Sequence, residues 1–211
     1  MNELFVRSLT GAALILLALM AAVLGGYFFA VFVAAAATAI FYEWTRLVKG
    51  WGAGWYSAGF VYALIPALAM LWVRDRADHG LALLLWVFIV TWSTDIGAYF
   101  VGRSLGRRKL APAISPGKTY AGLYGGMAAA ALLGGAWVLY NGLSKPLLNL
   151  APLFALAAQA GDLFQSWMKR RAGVKDSGNL LPGHGGVLDR LDGLVPVAVL
   201  TALAQLTGLT A

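Results

Sequence analysis

The stretch from Asp162 to Asp192 reads DLFQSWMKRRAGVKDSGNLLPGHGGVLDRLD and brings together four aspartates, five Lys or Arg residues, five glycines and His184. The whole chain is only 12% charged, so this is a concentration of chemistry. Carboxylates supply oxygen ligands of the kind that Mg²⁺ takes while keeping waters and bridging to substrate phosphates. The neighbouring cations, with backbone N–H groups that glycines leave open, suit the phosphates themselves.

The candidate metal ligands are Asp162, Asp189 and Asp192, and the last two, three residues apart, share a face if a helix starts there. On a helix turning 100° per residue, Ser166 lies about 40° from Asp162 and Lys169 about 20° from it on the other side. One stripe then runs from a buried acid through a hydroxyl to a cation. His184, among Gly183, Gly185 and Gly186, reads as a phosphate donor first, with a proton carrier or a brace for the loop as the alternatives. A second basic segment, GRSLGRRKLAPAISPGKTYAG, ends in Ser115 and Lys118 just before an apolar run, where they form an anion site at a helix start. Its SPGKT lacks the first glycine of a nucleotide-binding P-loop and follows no strand pattern, so that match is rejected.

The elements that carry these residues are membrane spans. The 211 residues are 60% hydrophobic, with a mean hydropathy of +0.74, too apolar for an ordinary soluble domain. A bilayer core of roughly 30 Å needs about 20 apolar residues per helix. Seven such runs occur, at about 8–24, 27–42, 57–73, 81–101, 120–140, 147–168 and 192–209. The expected fold is an all-α polytopic membrane domain over 1–211, with a polar funnel open to the cytoplasm. The run behind Arg7 reads as a first span rather than a cleaved leader.

With the N-terminus in the cytoplasm, 13 of the 16 Lys and Arg residues fall on the inner side, leaving Arg74, Arg76 and Lys145 outside. The net charge of +7 is thereby accounted for by topology and anionic lipid headgroups, and no nucleic-acid-binding motif accompanies it. The absence of cysteine excludes disulfides, thiolate metal sites and thiol nucleophiles.

Asp95 and Asp162 fall inside spans, where a charge costs roughly 2.5 to 3.5 kcal/mol even on lenient scales. Asp95 lies eight residues before Arg103 and Asp162 seven before Lys169. Each is therefore about 10 to 12 Å below the inner surface, at matching depth. Gly122 and Gly126 form a GxxxG that reads as a helix-packing surface.

The run SWMKRRAGVKDSGNLLPGHGGVLDRLD over 166–192 resembles the C-terminal signature of the phosphatidate cytidylyltransferase (CDP-diacylglycerol synthase) family. It supplies Ser166, Lys169, Arg170, Lys175, Asp176, His184, Gly185, Gly186, Asp189, Arg190 and Asp192 at the family's spacing. STDIGAYFVGRSLG around Asp95 and ISPGKTYAGLYGG around Lys118 resemble upstream segments in the same order. The resemblance covers 57–211 as the catalytic region and is thin over 1–56; Gln165 and Ala121 replace residues that are often acidic, or Glu or Gln, in the family.

The resemblance implies cytidylyl transfer from CTP to phosphatidate, giving CDP-diacylglycerol and pyrophosphate. It also implies a Mg²⁺ cofactor, with a second cation left open, a homodimer among membrane lipids, and a bacterial cytoplasmic (inner) membrane location. Asp162, Lys169, Asp189 and Asp192 are then the catalytic candidates. Ser115, Lys118, Ser166, Arg170, Lys175, Asp176, His184, Gly185, Gly186, Arg190 and Asp95 are the substrate-binding ones. Two other activities compete. A CDP-alcohol phosphotransferase would need an arginine after the Asp192–Gly193 pair, and a cation transporter would need broken helices and repeated halves.

Overall fold

The computed structural model describes residues 3–210, with side chains from residue 8 onward. In chain order the elements are α1 (Glu3–Leu24), α2 (Gly26–Leu47), α3 (Ala53–Arg74), α4 (Gly80–Leu105), β1 (Lys109–Ala111), β2 (Ser115–Thr119), α5 (Tyr120–Asn141), α6 (Pro146–Arg171), α7 (Leu188–Leu191) and α8 (Leu194–Leu206).

Among the described residues, five helices, α2 to α6, are long and apolar enough to cross a membrane, which makes this an integral membrane protein of helical type. Two apolar runs remain. α1 is 22 residues long with side chains described over Ser8–Leu24, and the 13 residues of α8 rise only about 20 Å at 1.5 Å each.

The fold is all-α in class, and the basic segment before α5 adds one short antiparallel hairpin to it. Lys109 pairs with Thr119 and Ala111 with Ser115 across an irregularity in β1. The hairpin feeds directly into α5, whose first turn is capped by the Thr119 hydroxyl accepting from the Gly122 amide at 3.0 Å.

Glycine stripes set the closest helix contact. On α5, a Cβ added to Gly122 would lie 2.8 Å from the Ala98 carbonyl, and one on Gly126 would lie 2.8 Å from that of Thr94. Gly97 on α4 faces Gly125 and Ala129 in the same way. The GxxxG is therefore the surface that lets α4 and α5 approach backbone to backbone, and it fixes Asp95 on α4 relative to Lys118 at the foot of α5.

The main core lies between α4, α5, α6 and α8, around Trp86, Val87, Val90, Leu147, Ala155 and Val197. Far from the basic loops, α1 turns into α2 through Gly25 and Gly26, both with positive φ. There the Arg74 guanidinium donates to the carbonyls of Ala22 at 2.6 Å and Val23 at 3.1 Å, closing the end of α1. α1 is otherwise thinly packed, and Ala21 and Ala22 are its only fully buried apolar side chains among the described residues.

Candidate active site

α6 contributes the middle of the site. Asp162 accepts from Lys118 at 2.7 Å through Oδ2, and from the Ser166 hydroxyl at 3.3 Å through Oδ1. The same Lys118 ammonium donates to Gln159 Oε1 at 2.7 Å. The hairpin thus brings a cation over a carboxylate about two and a half turns from the end of α6. Asp95 of α4 is exposed and lies within electrostatic reach of Asp162 and Lys118. Asp192 reaches the same group from the turn between α7 and α8, within electrostatic reach of Asp162, Asp95 and Lys169. Asp95, Asp162 and Asp192, with Lys118 and Lys169 beside them, are therefore close enough to influence one another.

Asp189 has a different role from the one its neighbour plays. Its Oδ1 accepts from Lys169 at 2.6 Å, and its Oδ2 accepts from the amides of Ser177 at 2.8 Å and Gly186 at 3.1 Å. Burial alone would raise the Asp189 carboxyl, but the Lys169 ammonium and these two amides outweigh it and hold the group below the ordinary carboxylate value. Lys169 thus completes Asp189 rather than the Asp162–Ser166 stripe on its own helix.

The loop 172–187 is laid out by its glycines. Gly173, Gly183 and Gly185 take positive φ values, and Leu181 bridges to Gly185. Arg190 clamps the loop by donating twice to the His184 carbonyl, at 2.9 and 2.6 Å. The His184 ring packs on α1, where a Cβ on Gly11 would lie 3.1 Å from Nε2, and Nδ1 is buried without a partner. Arg170 holds the hairpin turn through the Ile114 carbonyl at 3.3 Å and the loop through Val174 at 3.0 Å. Lys175 and Asp176 are exposed on the loop.

Two cavities of unlike character meet at Asp95. One, of about 710 Å³, is lined by Asp95, Tyr99, Arg103, Lys109, Ser115, Lys118, Gln159 and Asp162. The other, of about 570 Å³, has apolar walls from Leu14, Ile15, Ala18, Phe32 and Trp92, and a polar end of Asp95, His184, Asp189, Arg190 and Asp192. Asp95 is the residue that lines both.

Sequence reasoning passed over Glu43 and Gln159. Glu43 sits one residue beyond the apolar run 27–42 and so reads as a surface charge, yet it is fully buried. Its setting, FYEWT, carried the signal, since a carboxylate flanked by Phe41, Tyr42 and Trp44 is not where solvent is expected. Gln159 stands three residues before Asp162, on the same helix face.

Among the described residues, no group of three or more His, Asp or Glu side chains is close enough to form a ready-made metal cage. Asp162 and Asp192, with Asp95 near, nonetheless match the donor set of Mg²⁺, which uses one or two carboxylates and takes its other oxygens from water and phosphate. Lys118 supplies the positive charge that offsets Asp162.

The fold and site define a helical membrane protein with an acid-and-lysine centre between a polar and a largely apolar cavity. The chain belongs to the cytidylyltransferase family, whose model matches residues 49–207. It is 50% identical over 164 residues to the phosphatidate cytidylyltransferase of Brucella suis, covering 74% of this chain and 60% of that one. Against the phosphatidate cytidylyltransferase of Pseudomonas aeruginosa it is 42% identical over 178 residues, covering 82% and 66%. Against that of Bacillus subtilis it is 48% identical over 123 residues, covering 57% and 46%. The chain thus spans about three-fifths of the length of the first of these relatives.

Proposed function

We propose that this protein transfers the cytidylyl group of CTP to phosphatidate, forming CDP-diacylglycerol and pyrophosphate, and that it does so in the bacterial cytoplasmic membrane with its site facing the cytoplasm. The observation that carries the reading is the pair of unlike cavities joined at Asp95. A nucleotide needs cations and polar surface, as the cavity of Arg103, Lys109 and Lys118 offers. A lipid needs an apolar wall ending in charge, as the cavity beside α1 and α2 offers. In this reading α1 and α8 complete a seven-helix arrangement, the two cavities form the polar funnel, and the working unit is a homodimer.

The reaction joins a phosphatidate oxygen to the α-phosphorus of CTP while the bond to the β-phosphate oxygen breaks, and the pair of electrons leaves with pyrophosphate. The attacking oxygen is already an anion near neutral pH, so the chain has no need of a strong base. Its work is placement and charge stabilisation. Lys118, Arg103 and Lys109 receive the nucleotide's phosphates, while Arg190 and His184 border the lipid phosphate. Asp162 and Asp192 would hold Mg²⁺, which would supply positive charge to offset that of the phosphates. Asp189, with both oxygens engaged, takes part through Lys169.

Purified protein incubated with labelled CTP, phosphatidate and Mg²⁺ tests the reading. Pyrophosphate release that stops with a chelator is expected. Turnover only from a preformed CDP-lipid would replace it with a phosphotransferase, and ion flux without turnover would replace it with a transporter.

A further inference from the structure

Glu43 is a carboxylate with 0% exposure on α2, and it forms no ion pair among the described residues. A charge removed from water persists only if its oxygens are filled. Here they are filled by one segment. Oε2 accepts from the Ser177 hydroxyl at 3.0 Å and the Leu188 amide at 2.8 Å, and Oε1 accepts from the Val187 amide at 3.1 Å. The two glycines of the segment that touch it leave no room for a side chain: a Cβ on Gly178 would lie 2.6 Å from Oε1, and one on Gly186 would overlap the carboxylate.

Ser177 links this anchor to the site. Its hydroxyl goes to Glu43, while its amide goes to Asp189, which holds Lys169. A side chain from α2 therefore sets the position of the Asp189–Lys169 pair through one shared residue. Glu43 also precedes residue 49, where the family match begins.

We infer that Glu43 is a positioning residue of this site, a carboxylate on α2 that pins the loop holding Asp189 against Lys169. For its effect on turnover the inference rests on the proposed function; for its effect on the loop it stands alone. A carboxylate is required because three donors converge on two acceptors. Glutamine in its place would turn an NH₂ toward at least one N–H or O–H, setting donor against donor.

The test compares Glu43→Gln, Ser177→Ala and the double variant in lipid nanodiscs, reading kcat, KM for CTP and hydrogen exchange at the Val187 and Leu188 amides. Glu43→Gln is expected to lower kcat per folded molecule about 10- to 100-fold, as displaced catalytic groups do. KM for CTP should stay within about threefold, since the ground-state contacts to nucleotide lie elsewhere. Exchange at the two amides should rise about tenfold or more as their acceptor is lost. Ser177→Ala should shift both readouts in the same direction, and the double variant should be no worse than Glu43→Gln. If Glu43→Gln does not fold, Ser177→Ala alone carries the test. Unchanged kcat and unchanged exchange would overturn the inference. If the unaltered protein shows no CTP-dependent turnover, the functional reading falls and the exchange data decide the role of Glu43.

Discussion

Lys118 and Asp162 form an ion pair of 2.7 Å between the foot of the hairpin and the middle of α6. The lysine also holds Gln159, so removing the acid leaves it one partner and the helices in place. Asp162→Asn is accordingly expected to lose about 100- to 1,000-fold or more in kcat, the scale for deleting one preorganised electrostatic group. Thermal unfolding should move little. Near-normal CTP-dependent turnover in that variant would remove Asp162 from the mechanism.

The Asp189 carboxyl is held below its ordinary value by Lys169 and two amides, against the opposing effect of burial. A depressed folded-state value means that this group stabilises the fold fully above its unfolded pKa of about 3.9, and that the contribution is lost as pH falls through the lower folded value. The unaltered protein should therefore lose thermal stability below about pH 4 more steeply than Asp189→Asn, which no longer titrates there. Parallel slopes for the two would show that the pair does not link protonation to folding.

The proposed function assigns one substrate to each cavity. Ala18→Trp fills part of the apolar wall beside α1 and should raise KM for phosphatidate while sparing KM for CTP. Lys109→Ala, at the rim of the polar cavity, should do the reverse. Steady-state kinetics with each substrate varied in turn reads the split, and a matching rise in both constants for either variant would contradict the assignment.

The contact of α4 with α5 tolerates no added atom. Gly122→Val must push α5 away from the Ala98 carbonyl, with a cost of about 1 to 3 kcal/mol for overpacking. Gly54→Ala, in the first turn of α3 with nothing within 4 Å, is the control and should match the unaltered protein or exceed it slightly. Thermal denaturation in detergent compares the two.

The long helices were legible because a bilayer demands one simple property, about 20 apolar residues in a row. The pairing of Asp95 with Asp162 at one depth followed from the same rise per residue. What periodicity could not show was where flexible side chains go. Lys169 lies 20° from Asp162 on the helical wheel, yet its long stem reaches Asp189 instead. The hairpin was hidden because Pro112 and Pro116 break any alternation in so short a segment. Glu43 was hidden because the apolar count stopped one residue short of it, and nothing local announces that a loop more than 130 residues away will supply its donors.

The Arg74 clasp on the carbonyls of Ala22 and Val23 grips α1 at the end remote from His184, where Ala21 and Ala22 are also buried. Farther along the same helix, Gly11 borders the His184 ring, and Leu14, Ile15 and Ala18 line the apolar cavity. A helix is stiff along its axis, so the clasp at Arg74 also fixes the height at which that wall stands.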